Sequence, residues 1–338
     1  MREPAFWHRP SWTSHLLRPL AALYGAIAAQ RLQRNGFDAG IPVVCVGNYH
    51  LGGAGKTPAV LALAALLREI GETPVVLSRG YGGRLHGPIT VDISKHTAAD
   101  VGDEPLMLAF HGLVVVARDR IDGVALAKSH AASVILMDDG FQNPAVNKDV
   151  ALIVIDSERG VGNGRVFPAG PLRAPLGPQL ARTDALIVVG AGAAAEAVAA
   201  AVAASNRPVL LAHLKPDAGS RAQLKDRRVL AFAGIGDPAR FFRTLRANGV
   251  EVARERPFAD HHPFSAREIE VLAAEAKRDR LTLVTTEKDL VRLRCPARLA
   301  SVGCDIVPFK VGLEFADPAA LRRFLSDRLF RAREKRFR

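Results

Sequence analysis

Cysteine is scarce. Cys45, Cys295 and Cys304 are the only three in 338 residues, they make no CxxC pair, and an odd number cannot form a complete disulfide set. So few thiols are expected of a protein in a reducing compartment, not of a disulfide-stapled scaffold. Long apolar runs are missing as well. No apolar stretch of 18 residues is free of charge, which leaves no obvious bilayer-spanning helix. The apolar segment 16–29 is interrupted by Arg18 and Pro19, and no small-residue cleavage site follows it, so it does not read as a signal peptide. Acidic residues are also short, with 34 Asp and Glu against 46 Lys and Arg. Disorder is excluded, because 49% of the chain is hydrophobic and 24% charged.

The formal charge of +12 is unevenly spread. Residues 1–35 carry +4 and residues 328–338 carry +5, leaving a nearly balanced body between them. Basic ends raise three partner classes, namely nucleic acid, a membrane surface or an anionic substrate. Within the first segment, Leu16, Leu20, Leu23, Tyr24 and Ile27 recur at helical spacing, with Trp7 and Trp12 upstream and arginines around them. An amphipathic helix lying in a membrane surface fits this pattern, and so does a helix packed on its own domain.

From residue 41 onward, short and continuously apolar runs alternate with helical stretches. Strands are expected at 41–46, 74–77, 113–117, 133–137, 151–155 and 185–189, with helices at 58–70, 120–129 and 193–204. Continuous rather than alternating apolarity is the mark of parallel strands covered on both faces. A second βα series follows, with strands at 229–233, 281–285 and 305–309 and helices at 238–247, 265–278 and 318–330. The expected architecture is α/β: a P-loop NTPase-like, doubly wound, mainly parallel sheet over 36–205, a smaller α/β domain over 206–338, whose C-terminal helix packs either on it or back on the first domain, and an N-terminal amphipathic helix region over 1–35.

The strongest chemical motif is Gly52-Gly53-Ala54-Gly55-Lys56-Thr57, between a strand and a helix. Glycines let backbone N–H groups close around phosphate oxygens, the lysine reaches the β/γ-phosphates, and the threonine hydroxyl ligates Mg²⁺. His50 occupies the position where the usual pattern has its first glycine. Downstream, an apolar strand runs into Asp138-Asp139, the arrangement by which Walker-B carboxylates reach Mg²⁺. Together they indicate Mg-nucleoside triphosphate binding and leave ATPase, GTPase and kinase open.

Other polar clusters narrow the choice. Asp103 in Gly102-Asp103-Glu104-Pro105 reads as a helix cap or as a base for an attacking hydroxyl. Asp260-His261-His262 lacks a third spaced ligand, which favours acid–base or anion contact over zinc. Arg79, beside Gly80-Tyr81-Gly82-Gly83, suits a phosphate contact or a surface salt bridge equally.

The ordered set VGNxxxGGxGKTP, SRGYGG, GDEP, DDGFQ, GNGxxxPAGPLR, AGIGxPxRFF, DHH and TTEKD resembles the tetraacyldisaccharide 4′-kinases, the lipid A kinases of Gram-negative bacteria, over residues 1 to about 310. The resemblance implies transfer of the ATP γ-phosphate to the 4′-hydroxyl of a tetraacylated glucosamine disaccharide 1-phosphate, a lipid A precursor. It also implies Mg²⁺ as cofactor and the cytoplasmic leaflet of the inner membrane as workplace, while the lack of a basic stripe interleaved with aromatics across the core argues against a nucleic-acid partner. Carried over, Gly52, Gly53, Ala54, Gly55, Lys56 and Thr57 hold nucleotide, Thr57, Asp138 and Asp139 hold metal, and Asp103 with His261 manages the hydroxyl proton. His50 stands where the family commonly has Thr or Ser. The chain departs from the family in having Ala174 where Glu commonly follows PAGPLR, and Asn143 where the family's DGLQH has its histidine. A lipid substrate favours the membrane reading of the N-terminal helix and of the basic ends.

Overall fold

A computed structural model describes residues 4–53, 55–293 and 305–337. Ala54, Cys295 and Cys304 lie outside the described residues. Thirteen strands are described: β1 (Val43–Gly47), β2 (Pro74–Ser78), β3 (Ile89–Thr90), β4 (Val114–Val116), β5 (Val134–Asp138), β6 (Val150–Asp156), β7 (Ala185–Val189), β8 (Val209–Pro216), β9 (Arg228–Ala233), β10 (Glu251–Pro257), β11 (Thr282–Thr286), β12 (Ile306–Phe309) and β13 (Val311–Phe315). They form a nine-stranded sheet in the order β13-β8-β7-β6-β1-β5-β2-β4-β3 and a four-stranded sheet in the order β10-β9-β11-β12. Only β3 and β13, at the two edges of the large sheet, run antiparallel to their neighbours.

The buried strands explain why the apolar runs are continuous. In β1, Val44 and Val46 face one core while Val43 and Cys45 face another. In β5, Val134 and Leu136 join the first core, and Ile135 and Met137 the second. Every residue of such a strand is buried, so the sequence has no polar alternation to offer. The helix Lys56–Glu69 covers the first face through Ala59, Val60, Leu63 and Leu67, a stripe at helical spacing. Each leucine so buried contributes about 1.5–3 kcal/mol.

The expected division at 206 does not follow sheet membership. β8 extends the parallel ladder of β7, and β13 pairs antiparallel with β8, so both belong to the large sheet. The small sheet lies between them in the chain, within 228–309. The closing helix Pro318–Phe337 returns to the large sheet and buries Leu321, Leu325 and Leu329 in the first core.

That return changes the reading of the basic C-terminal end. Arg322 pairs with Glu69 at 2.7 Å, Arg328 with Asp184 at 3.2 Å, and Arg333 with Glu72 at 2.6 Å. Arg336 reaches both Asp38 and Asp149 at 2.9 Å. These arginines pin the helix to the body, so their charge is largely matched within the molecule.

The N-terminal helix Arg18–Leu32 turns its small side toward the body. Ala21, Gly25 and Leu32 are buried, and the backbone at Gly25 comes close to Pro175 and Val166. Trp7 anchors the entry, its indole N–H donating to the Pro168 carbonyl at 3.1 Å. The apolar side chains Trp12, Leu16, Leu20, Leu23 and Ile27 are exposed. No helix among the described residues is long and apolar enough to cross a membrane.

Candidate active site

The site lies along the C-terminal edge of the large sheet, where β1 is flanked by β5 and β6. Such edges gather ligands because successive loops and helix N-termini converge there. β1 leads through the buried residues Asn48, Tyr49 and His50 into the glycine loop, and Gly55 takes a left-handed backbone (φ 81°) that starts the helix at Lys56. Burial, then the Arg159 charge, push the His50 imidazole down to about 4, and its Nδ1 lies 3.0 Å from the Leu51 carbonyl. Its Nε2 is buried without a hydrogen-bond partner among the described residues.

β5 delivers the two aspartates to different surroundings. Asp138 is buried and accepts a hydrogen bond from the Ser78 hydroxyl at 3.2 Å. Burial, with the nearby Glu104 and Asp139 charges, pushes its carboxyl up to about 7. Asp139 follows in a left-handed conformation (φ 50°) that swings it toward the loop. There Arg173 grips both its oxygens at 3.0 Å, and Lys56 approaches to 3.5 Å. Burial raises the Asp139 carboxyl, but Lys56 and Arg173 outweigh it and hold it below the ordinary range.

The donor set here is all oxygen, with two carboxylates and the Thr57 hydroxyl at the first turn of the loop helix. That suits Mg²⁺, which takes few protein ligands and completes its shell with water and phosphate. Adjacent carboxylates at a strand end also repel each other unless a cation lies near. Among the described residues, no three His, Cys, Asp or Glu side chains form a ready-made metal cage.

The small sheet brings the second half of the site. Gly102, with φ 93°, lets the helix Asp103–Ala109 start directly under Tyr81, whose carbonyl would lie 2.5 Å from any added Cβ. This helix packs against the helix Glu287–Leu293, which follows β11. Asp103 Oδ2 accepts from His261 Nδ1 at 2.8 Å and from Arg292 Nε at 2.6 Å. Burial raises the Asp103 carboxyl, yet the His261 hydrogen bond and the Arg292 charge hold it below the ordinary range. Glu104 accepts from Lys288 Nζ at 3.0 Å and lies within electrostatic reach of Lys56. A second bridge, Arg240 to Asp156, joins the small sheet's helix Pro238–Ala247 to the end of β6.

A family model described as tetraacyldisaccharide-1-P 4′-kinase matches residues 13–330. The chain belongs to that family. It is 70% identical over 338 residues to the tetraacyldisaccharide 4′-kinase of Bradyrhizobium diazoefficiens, covering 100% of this chain and 99% of the relative. The counterpart from Nitrobacter hamburgensis is 65% identical, covering 98% of this chain and all of the relative. Among solved structures, LpxK from Aquifex aeolicus in complex with ATP is similar with a TM-score of 0.72 and 25% identity, covering 94% of this chain and 99% of that one. Family membership makes the chain a phosphotransferase acting on a tetraacyldisaccharide 1-phosphate.

The geometry brings Lys56, Asp138 and Asp139 together and pairs Asp103 with His261. Arg79 is exposed at the end of β2, outside these contacts. Arg173 and Lys288 stand inside motifs that the sequence displays, but no pattern of spacing assigned them a role. Arg292 lies outside those motifs. Its signal was present all the same, since Lys288 and Arg292 are four residues apart and therefore share one helix face.

Proposed function

We propose that the protein transfers the γ-phosphate of ATP to the 4′-hydroxyl of a tetraacylated glucosamine disaccharide 1-phosphate, working at the cytoplasmic face of the inner membrane. One observation carries this most directly: Asp103 and Glu104 are each held by a side chain from the helix Glu287–Leu293, and Glu104 lies within electrostatic reach of Lys56 in the P-loop. The glycine loop and Lys56 bind the triphosphate, with Lys56 exchanging Asp139 for phosphate oxygens. Thr57, Asp138 and Asp139 would hold Mg²⁺, which would supply charge neutralisation for the triphosphate. Asp103 takes the proton of the 4′-hydroxyl as its oxygen bonds to the γ-phosphorus and the bridging bond to ADP breaks. His261 orients that carboxylate. A sugar hydroxyl loses its proton far above neutral pH, so a placed base is needed at the moment of attack.

The membrane location is supported by the outward apolar face of the N-terminal helix and by Arg9, Arg18, Arg31 and Arg34, all exposed around it. Each such residue near an anionic surface contributes about 1 kcal/mol. Incubation with γ-labelled ATP and the disaccharide precursor should move label into the organic phase, and Lys56→Ala should abolish most of that transfer. Label remaining as aqueous phosphate with wild-type protein would refute the kinase reading. Full activity in Lys56→Ala would refute the P-loop assignment.

A further inference from the structure

We propose that Arg292 is a positioning residue for Asp103, holding one carboxylate oxygen so that the other is left for the proton of the attacking hydroxyl. This rests on the reading of Asp103 as the base. Both described donors, Arg292 Nε at 2.6 Å and His261 Nδ1 at 2.8 Å, fall on Oδ2. No described residue donates to Oδ1. Two donors on one oxygen fix the plane of the carboxylate and direct its remaining lone pairs.

The guanidinium is itself anchored from the far side. Its Nη1 donates to Asp289 Oδ1 at 2.6 Å and to the Gly234 carbonyl at 2.7 Å. Asp289 is fully buried, and its other oxygen accepts from the Gly234 N–H at 3.1 Å and the Thr286 hydroxyl at 2.7 Å. The Gly234 carbonyl also accepts from the His261 N–H at 3.0 Å, so both partners of Asp103 hang from one peptide at the end of β9. An alanine at 234 would press its Cβ to 3.2 Å from Asp289 Oδ1, which leaves little room for this cradle to shift.

Five other charged or titratable groups surround Asp103 and His261, among them Tyr81, whose ring lies edge-on to His261 at 6.1 Å. Glu104 and Lys288 pair with each other at 3.0 Å, Asp260 lies 3.9 Å from His261 Nε2, and Asp289 is committed to Arg292. Against this background Arg292, with a side chain only 6% exposed, sets its guanidinium 2.6 Å from the Asp103 carboxylate. Because it comes from the small sheet, the base is oriented only while that sheet is seated on the large one.

The test compares kcat against pH for wild type, Arg292→Gln, Arg292→Lys and Asp103→Asn, with KM for ATP alongside. Removing the fixed cation raises the pH at which Asp103 gives up its proton, so the acidic limb of the Arg292→Gln profile should move to higher pH. Its kcat should fall about tenfold to a hundredfold, with KM for ATP unchanged. Arg292→Lys keeps charge but cannot bridge Asp289 and Asp103 together, and should show a smaller movement in the same direction. A kcat lowered equally at every pH, with the limb unmoved, would reduce Arg292 to a structural strut and overturn the proposal. If Arg292→Gln shows no cooperative melting, the Arg292→Lys profile decides, and an unmoved limb there is equally fatal. Retained activity in Asp103→Asn would instead defeat the base reading and the proposal with it. An inactive Asp103→Asn beside an unmoved limb defeats the positioning role alone.

Discussion

Replacing Leu16, Leu20 and Leu23 together with serine should release the protein from lipid vesicles without harming the fold. The three side chains are 71%, 59% and 64% exposed, so they contribute little to the core. Fully burying a leucine contributes about 1.5–3 kcal/mol, and roughly two-thirds of that is still available on each, or about 3–6 kcal/mol for the three. Lost together, this lowers partitioning on the order of 10²- to 10⁴-fold. Co-sedimentation with vesicles containing an anionic phospholipid reads the effect, and activity on detergent-dispersed substrate should persist. Raising the salt should weaken what binding remains, because the exposed arginines then act alone. Unchanged sedimentation of the triple variant would refute the docking of this face. A large fall in melting temperature would refute the claim that these leucines are not core.

The C-terminal helix supplies two further outcomes. Leu325→Ala, at a position with no exposed surface, should cost about 2–5 kcal/mol in denaturant unfolding; a loss below about 0.5 kcal/mol would mean the helix is not docked. Glu72 is raised by burial, but bonds from Arg333 and Ser133 outweigh this and hold it below its ordinary 4.5. Its contribution is therefore full above about pH 4.5 and is lost as pH falls through the lower folded value. Glu72→Gln should flatten that part of the stability–pH curve, and an unchanged slope would remove Glu72 from the account.

What the sequence made legible was the part buried on both sides. All nine expected strands are present within two residues of their expected bounds, because continuous apolar runs leave few alternatives. The helix 120–129 matches Arg120–Ser129, where Asp119 caps the start by accepting from the Ile121 N–H. The strands not foreseen are β3, β8, β10 and β13. β10, Glu251–Pro257, carries charged side chains and is at an edge, while β8 alternates buried and exposed positions beside the antiparallel β13. β3 is only two residues long, and β13 pairs with β8 across the whole small sheet, so no local pattern reports them. The site divides the same way. Glycine loop, strand-end acids and the pairing of Asp103 with His261 are read from short motifs, whereas the contact of Arg292 with Asp103 depends on how the helix Glu287–Leu293 meets the helix Asp103–Ala109.

The pairing of β13 with β8 bears on how the chain is made. A ribosome releases β8 long before β13, with the whole small sheet synthesised between them. Until then β8 is an open edge of the large sheet, and the leucines of helix Lys56–Glu69 lack the cover of Leu321, Leu325 and Leu329. The nucleotide-binding half is thus completed last, by residues 311–337, although its phosphate loop emerges among the first. Nascent chains stopped before that point would expose both an unpaired strand and an apolar helix face, which is a combination that invites aggregation.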